Sequence, residues 1–167
     1  MPAEERRSTI LIVDDEPAVV ESVGTLLELE TPHLVLAESS SRRALQVAKT
    51  NPLDLVISDF LMPELDGIGL LLEIRALYPE SALILLTGYA DKTNAIRAIN
   101  EVGIFHYLEK PWENDDLLTV VRTGLDKRLQ LHRMHERARE LEARLRAVEA
   151  MNRELEQRLR DLPSSAT

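Results

Sequence analysis

Three carboxylates (Asp14, Asp15 and Asp59), one hydroxyl (Thr87) and one ammonium (Lys110) are of types that could act together on a phosphoryl group. Carboxylates converging on one crevice repel each other by roughly 4 kcal/mol per pair at about 4 Å and an effective dielectric near ~20, so such a cluster needs a cation. Oxygen-only ligands without His or Cys nearby favour a hard ion, Mg2+ above all, and an ion held by one or two carboxylates keeps open positions that suit a phosphate. Lys110 adds a mobile point charge, and Thr87 a hydroxyl able to donate to a phosphoryl oxygen. An Asp carboxylate can itself take the phosphoryl group as an aspartyl phosphate, with positioning and charge neutralisation supplying most of the catalysis. Singly, each residue reads more simply: an Asp between strand and helix is usually a cap or turn acid, and a Lys a solvated tip. The elements that carry them decide.

Each of these residues lies at the end of a short apolar run. Residues 9–13 are a β-branched stretch that stops at Asp14-Asp15, and Pro17 stands where a helix begins. Val19, Val20, Val23, Leu26 and Leu27 repeat at helical spacing until Thr31-Pro32. Residues 34–37 read as a second strand, followed by N-cap candidates in Ser39-Ser40-Ser41 and a short apolar face of Ala44, Leu45 and Ala48. Asn51-Pro52 opens a third strand that ends on Asp59, and Pro63 and Gly67 punctuate the loop before a helix that Pro79 closes. Residues 82–87 are almost wholly apolar, as expected of a parallel strand covered on both faces. A fourth helix ends at Gly103, a fifth strand over 104–108 leads to Lys110-Pro111, and Leu117, Leu118, Val121 and Leu125 begin a fifth helix. Five strand–helix alternations predict an α/β fold, a flavodoxin-like doubly wound five-stranded parallel sheet. That plan sets Asp14, Asp15, Asp59, Thr87 and Lys110 along the C-terminal edge of the sheet.

Composition limits the alternatives. A chain of 167 residues, 44% hydrophobic, supports one sizeable core. It has no cysteine, no apolar run long enough to span a membrane and no signal-peptide core behind Met1, so the expected compartment is reducing and cytoplasmic. Residues 1–126 hold 10 Lys/Arg against 22 Asp/Glu, a balance of -12, and residues 127–167 hold 10 against 7, or +3. The first stretch would repel duplex nucleic acid and the second mixes its signs finely, so direct nucleic-acid binding is not expected.

With these residues in place, the chain resembles the receiver domain of a two-component response regulator over about residues 8–128. The match rests on Asp14-Asp15 after strand one, Asp59 with Met62-Pro63 and Gly67 behind it, Thr87 after strand four and Lys110-Pro111 after strand five. The resemblance implies that Asp59 accepts the phosphoryl group and ligates Mg2+ with Asp15, that Asp14 acts through water, and that the backbone carbonyl of Leu61 is a further ligand. It implies that Lys110 pairs with the phosphoryl group, that Thr87 moves to bond it, that Tyr107 follows as an aromatic switch, and that Lys110-Pro111 is cis. Gly88 departs from the commoner Ala and loosens the switch loop. Leu61 and Tyr89 occupy positions that tune water access in the family, so a shielded, slowly hydrolysed phosphoryl group is expected. Glu64 and Asp66 read as loop solvation, and His106 as facing solvent or a partner. Residues 98–112 also resemble receivers that precede signalling enzymes such as cyclic-dinucleotide phosphodiesterases.

Past the fifth helix the periodicity continues. Leu131, Met134, Ala138, Leu141, Leu145, Val148, Asn152, Leu155, Leu159 and Leu162 alternate spacings of three and four, a coiled-coil seam with no Gly or Pro between Leu125 and Leu162. Arg137, Arg144 and Arg158 at g and Glu142, Glu149 and Glu156 at e favour a parallel pair, and Asn152 at a favours two strands in register. His132 and His135 sit at b and e and lack the Thr/Asn and Pro expected beside a phosphotransfer histidine.

The expected organisation is a polar lead (1–8), a receiver (9–129), a parallel dimeric coiled coil (130–162) and a frayed tail or linker start (163–167). The expected function is a signalling module that takes a phosphoryl group on Asp59 from a histidine kinase or phosphotransfer protein. It would relay the change through helices four and five and the homodimeric coiled coil to an unassigned output. It would not be an enzyme beyond its own Mg-dependent autophosphorylation and autodephosphorylation. An Asp-nucleophile phosphohydrolase fits less well, because the usual Asp-x-Asp after strand one and a cap insertion are missing. A structural dimeriser with a degenerate receiver conflicts with the intact site residues.

Overall fold

The computed structural model describes residues 7–164; residues 1–6 of the polar lead, residues 165–167 of the tail and the side chain of Tyr89 lie outside the described residues. Five strands, β1 (Thr9–Val13), β2 (Leu34–Glu38), β3 (Leu55–Asp59), β4 (Ala82–Thr87) and β5 (His106–Glu109), alternate with five helices. The helices are α1 (Pro17–Glu30), α2 (Ser41–Thr50), α3 (Gly67–Leu77), α4 (Lys92–Val102) and α5 (Asn114–Arg160). All neighbouring strands pair in parallel in the order β2-β1-β3-β4-β5, the flavodoxin-like arrangement expected from the sequence.

Side-chain alternation along the strands divides the core between the two faces of the sheet. Leu11, Val13, Val56, Leu83 and Leu85 pack with α2, α3 and α4 residues such as Ala44, Leu70, Ile74 and Ala98. Ile10, Ile12, Leu55, Ile57, Ile84 and Leu86 pack with Val23 and Leu27 of α1 and Leu117, Val121 and Leu125 of α5. The central strands β3 and β4 are buried at every position, whereas the edge strand β2 is only partly covered. That difference explains why β3 and β4 read as unbroken apolar runs.

Helix ends follow local chemistry. Pro17 opens α1, Ser40 caps α2 by accepting from the Arg43 backbone N–H at 3.4 Å, and Gly103 closes α4 at φ 72° in the left-handed region. Asp66 corrects the loop-solvation reading: it is the N-cap of α3 and accepts from the Gly69 N–H at 2.7 Å. Glu64, at φ 72°, meets Arg42 at 3.3 Å. β5 starts at His106 rather than Ile104, because regular pairing with β4 begins at Ile84 opposite His106; only the Phe105 N–H to Leu83 carbonyl bond, at 2.8 Å, precedes it.

Sequence reasoning did not single out Arg75. Its guanidinium donates to the carbonyls of Pro79, Ser81, Val102 and Gly103 at 2.7 to 3.3 Å, tying the end of α3 to the entry of β4 and the end of α4.

Residues through Leu129 form one compact unit and those from Gln130 a second, with α5 contributing to both. In the second, every described residue except the half-buried His132 is exposed. Among the described residues no helix is long and apolar enough to cross a membrane.

Candidate functional site

The order of the sheet changes direction between β1 and β3, and open α/β sheets place ligands at the carboxyl ends of strands at such a switch point. Val13 ends β1 and the chain turns at once through Asp14 and Asp15; Asp59 ends β3 beside it. One carboxylate oxygen from each of Asp14, Asp15 and Asp59 lies within 4.8 Å of the others. Asp14 is fully buried, Asp59 is 8% exposed and Asp15 faces solvent, so the cluster opens on one side.

Lys110 bridges the two buried acids. Its Nζ lies 2.9 Å from Asp14 Oδ2 and 3.1 Å from Asp59 Oδ1. The Lys110 backbone N–H donates to the Thr87 carbonyl at 2.8 Å, which fixes the start of the β5–α5 loop against the end of β4, and the Lys110-Pro111 peptide is cis as expected. The other Asp14 oxygen accepts from the Glu16 N–H at 2.9 Å. Burial pushes the Asp59 carboxyl above its ordinary value and the Asp14 charge adds to the push, while the Lys110 hydrogen bond and charge oppose it. For Lys110 burial acts downward, but hydrogen bonds and charges from Asp14 and Asp59 outweigh it and hold the ammonium above its usual range.

Gly67 approaches the backbone of Asp59 closely. A Cβ there would collide with the carbonyl oxygen of Asp59, so only glycine lets α3 start this near the end of β3. The Gly67 N–H donates to the Phe60 carbonyl at 2.8 Å, drawing the loop back onto the strand end.

Thr87 and Tyr107 lie on the adjacent strands β4 and β5. Thr87 is fully buried, and its hydroxyl has no hydrogen-bond partner among the described residues. Tyr107 is half-buried against the cluster under α2, α3 and α4, and the exposed ring of His106 contacts the Tyr107 carbonyl through Nδ1 at 2.6 Å. Leu61 lies in the loop two residues past Asp59 and is 61% exposed. The Tyr89 side chain, the other half of the expected shield, is outside the described residues.

A buried acid pair bridged by one lysine lies at the switch point of the parallel sheet, with an unsatisfied threonine on the next strand. The chain belongs to the response regulator receiver domain family, which matches residues 10–122, and is the receiver of a two-component response regulator. It is 33% identical over 122 residues to the hydrogenase transcriptional regulatory protein HoxA of Cupriavidus necator, covering 73% of this chain and 25% of the relative. It is 36% identical over 132 residues to the regulatory protein AtoC of Escherichia coli, covering 79% and 27%. The chain thus spans about a quarter of the length of these curated relatives. Among solved structures it is similar to a receiver domain protein from Clostridium thermocellum, at TM-score 0.69 and 37% identity over 74% of this chain and 98% of that one. It is also similar to the signal receiver domain of an HD domain-containing protein from Pseudomonas fluorescens, at TM-score 0.71 and 36% identity over 75% and 99%. Relatives that include transcriptional regulators and an HD domain-containing protein identify the module and leave its output open.

Receiver domains are phosphorylated by histidine kinases and generally bind Mg2+ at an acidic pocket. The donor set here fits that ion: only carboxylate oxygens, clustered within coordination reach of one another and open to solvent at Asp15.

Proposed function

We propose that this chain is a cytoplasmic phosphorylation switch, in which Asp59 takes a phosphoryl group from the phosphohistidine of a histidine kinase or phosphotransfer protein. The observation that carries the reading is Lys110 held at 3.1 Å from Asp59 and 2.9 Å from Asp14. A bound Mg2+, held by Asp15 and Asp59 directly, by Asp14 through water and by the Leu61 carbonyl, would neutralise the acids and the incoming phosphoryl oxygens. A carboxylate oxygen of Asp59 attacks phosphorus as the phosphorus–nitrogen bond of the donor breaks, and the imidazole leaves with that electron pair and takes a proton. Lys110 then moves its charge from the bare carboxylate to a phosphoryl oxygen.

The buried hydroxyl of Thr87 gains its missing acceptor when a phosphoryl oxygen arrives at Asp59. Moving toward it vacates space beside β5, which Tyr107 fills, and the change reaches α4 and α5. Beyond this cycle and its hydrolysis by water the chain turns over no substrate. The experiment is incubation with a small-molecule phosphodonor and Mg2+. One phosphoryl group per chain, labile to alkali and to hydroxylamine as an acyl phosphate is, and absent from Asp59→Asn and from chelated samples, supports the reading. Continued turnover of a phosphate ester would instead mark a phosphohydrolase, and failure to bind Mg2+ or beryllium fluoride a degenerate receiver.

A further inference from the structure

We infer that residues 131–160 of two copies of this chain pair as a parallel, in-register coiled coil in which Glu142 and Glu149, at e positions, are each held between two arginines, one from each helix. The inference concerns the second compact unit and does not depend on the chemistry at Asp59.

The unpartnered face is the starting observation. Met134, Leu141 and Leu159 are 67%, 64% and 68% exposed, and Leu131, Leu145, Val148 and Leu155 are exposed with them on the same stripe of α5, which ends at Arg160, short of the last expected seam position, Leu162. Seam residues at alternating three- and four-residue spacing need a facing helix with the same period, since knobs enter holes only when both helices supply the 3.5-residue repeat. A second copy supplies it by construction, and the flanking charges fix how it lies.

Glu142 is engaged within its own helix by Arg146 at 3.6 Å, and the e-to-b spacing repeats at Glu149 with Arg153 and at Glu156 with Arg160. In a parallel in-register pair, a g residue meets the e residue five positions on in the other copy. Glu142 then lies between its own Arg146 and the partner's Arg137, and Glu149 between its own Arg153 and the partner's Arg144. Because each carboxylate has two oxygens, it accepts from both guanidinium groups at once, so the interhelical bond adds to the intrahelical one without displacing it. An antiparallel pair would instead face g with g, Arg against Arg, and e with e, Glu against Glu.

Register is set by Asn152. In register, the two Asn152 amides meet and satisfy each other; a slip of one heptad would set each against Leu145 or Leu159 and bury two unpaired amides. Met151, at the neighbouring g position and 57% exposed, has no charge to offer Glu156 and lies as a flexible apolar cover beside that polar layer.

The test uses the full chain, which has no native cysteine. Sedimentation equilibrium at micromolar concentration should give a dimer. Oxidised Leu155→Cys should run as a covalent dimer, because in a parallel in-register pair residue 155 faces itself, whereas antiparallel pairing would separate the thiols by about 25 Å at ~1.5 Å per residue. The double variant Arg137→Glu/Arg144→Glu and the double variant Glu142→Arg/Glu149→Arg should each dimerise at least tenfold more weakly, and an equimolar mixture of the two should regain the parental affinity. A monomeric parent, a trimer, a Leu155→Cys variant that forms no covalent dimer, or both charge-reversed variants dimerising undiminished would each overturn the inference.

Discussion

Arg128, on α5, meets Asp54, just before β3, with the guanidinium Nη2 2.9 Å from Oδ1 and less than a fifth of either side chain exposed. The other Asp54 oxygen accepts from the Thr9 N–H at 2.8 Å, so one carboxylate gathers the starts of β1 and β3 and the α5 helix at the edge of the sheet opposite the acid cluster. Removing one partner of a shielded ion pair leaves the other desolvated and unpaired. Asp54→Asn and Arg128→Met should each lower the unfolding free energy by about 2 kcal/mol, with a double variant less damaging than the sum. Additive losses in chemical denaturation would show that the two groups do not act as a pair.

Asp59 should be a stability cost without metal. A carboxyl whose pKa is raised on folding favours the fold while protonated; that contribution is complete below the ordinary value near 3.8 and is lost as pH rises through the raised folded value. At neutral pH in chelator, Asp59→Asn should therefore melt higher, by about 2–4 °C for each kcal/mol relieved in a chain of this size, and the difference should shrink as the solution is acidified through the Asp range. Saturating Mg2+ should raise the parent melting point more than that of the variant. A variant that melts lower than the parent in chelator at pH 7 would contradict the account.

Thr87 separates stability from signalling. Replacing its buried, unpartnered hydroxyl by the methyl of Val removes an unsatisfied polar atom, so Thr87→Val should change stability by no more than about 0.5 kcal/mol or raise it slightly. The same variant should still be phosphorylated on Asp59 yet lose the phosphoryl-dependent shifts of α4 and Tyr107 resonances. If those shifts persist unchanged, the hydroxyl is not the sensor.

At Gly67 even a methyl group is too large. Gly67→Ala drives Cβ into the Asp59 carbonyl, and relief requires moving either the strand end or the start of α3. A loss of about 3 kcal/mol is expected, together with weaker Mg2+ binding because the acceptor carboxylate is displaced with its backbone. Chemical denaturation would read the first effect and isothermal titration calorimetry of the metal the second; an unchanged value in either would contradict the account.

The acid cluster was legible in the sequence because each member ends an apolar run whose period declares a strand, and a parallel sheet aligns such ends. Asp66 was misjudged because an acid between Pro63 and Gly67 looks like any loop residue, although an Asp directly before a helix-opening Gly is a capping signal. Arg75 carried no signal: its four acceptors are backbone carbonyls, which leave no trace in residue identity. The same holds for the Arg128–Asp54 pair, whose members are 74 positions apart by their numbers. The start of β5 was set early because Ile104 and Phe105 are apolar enough for a strand while lacking a regular partner on β4.

Arg75 grips α4 at one end only. Val102 and Gly103 are held by two guanidinium bonds, while at the other end Lys92 is tied to Glu109 by a single exposed pair at 3.5 Å. Were this helix of 11 residues to tilt, the end held by Arg75, far from the acid cluster, would be its fulcrum. A tilt of roughly 10° would carry the Lys92 end about 3 Å, at ~1.5 Å of rise per residue, and leave the Arg75-held end in place. The Lys92 end adjoins the loop after Thr87, so in such a tilt the largest displacement would fall beside that residue.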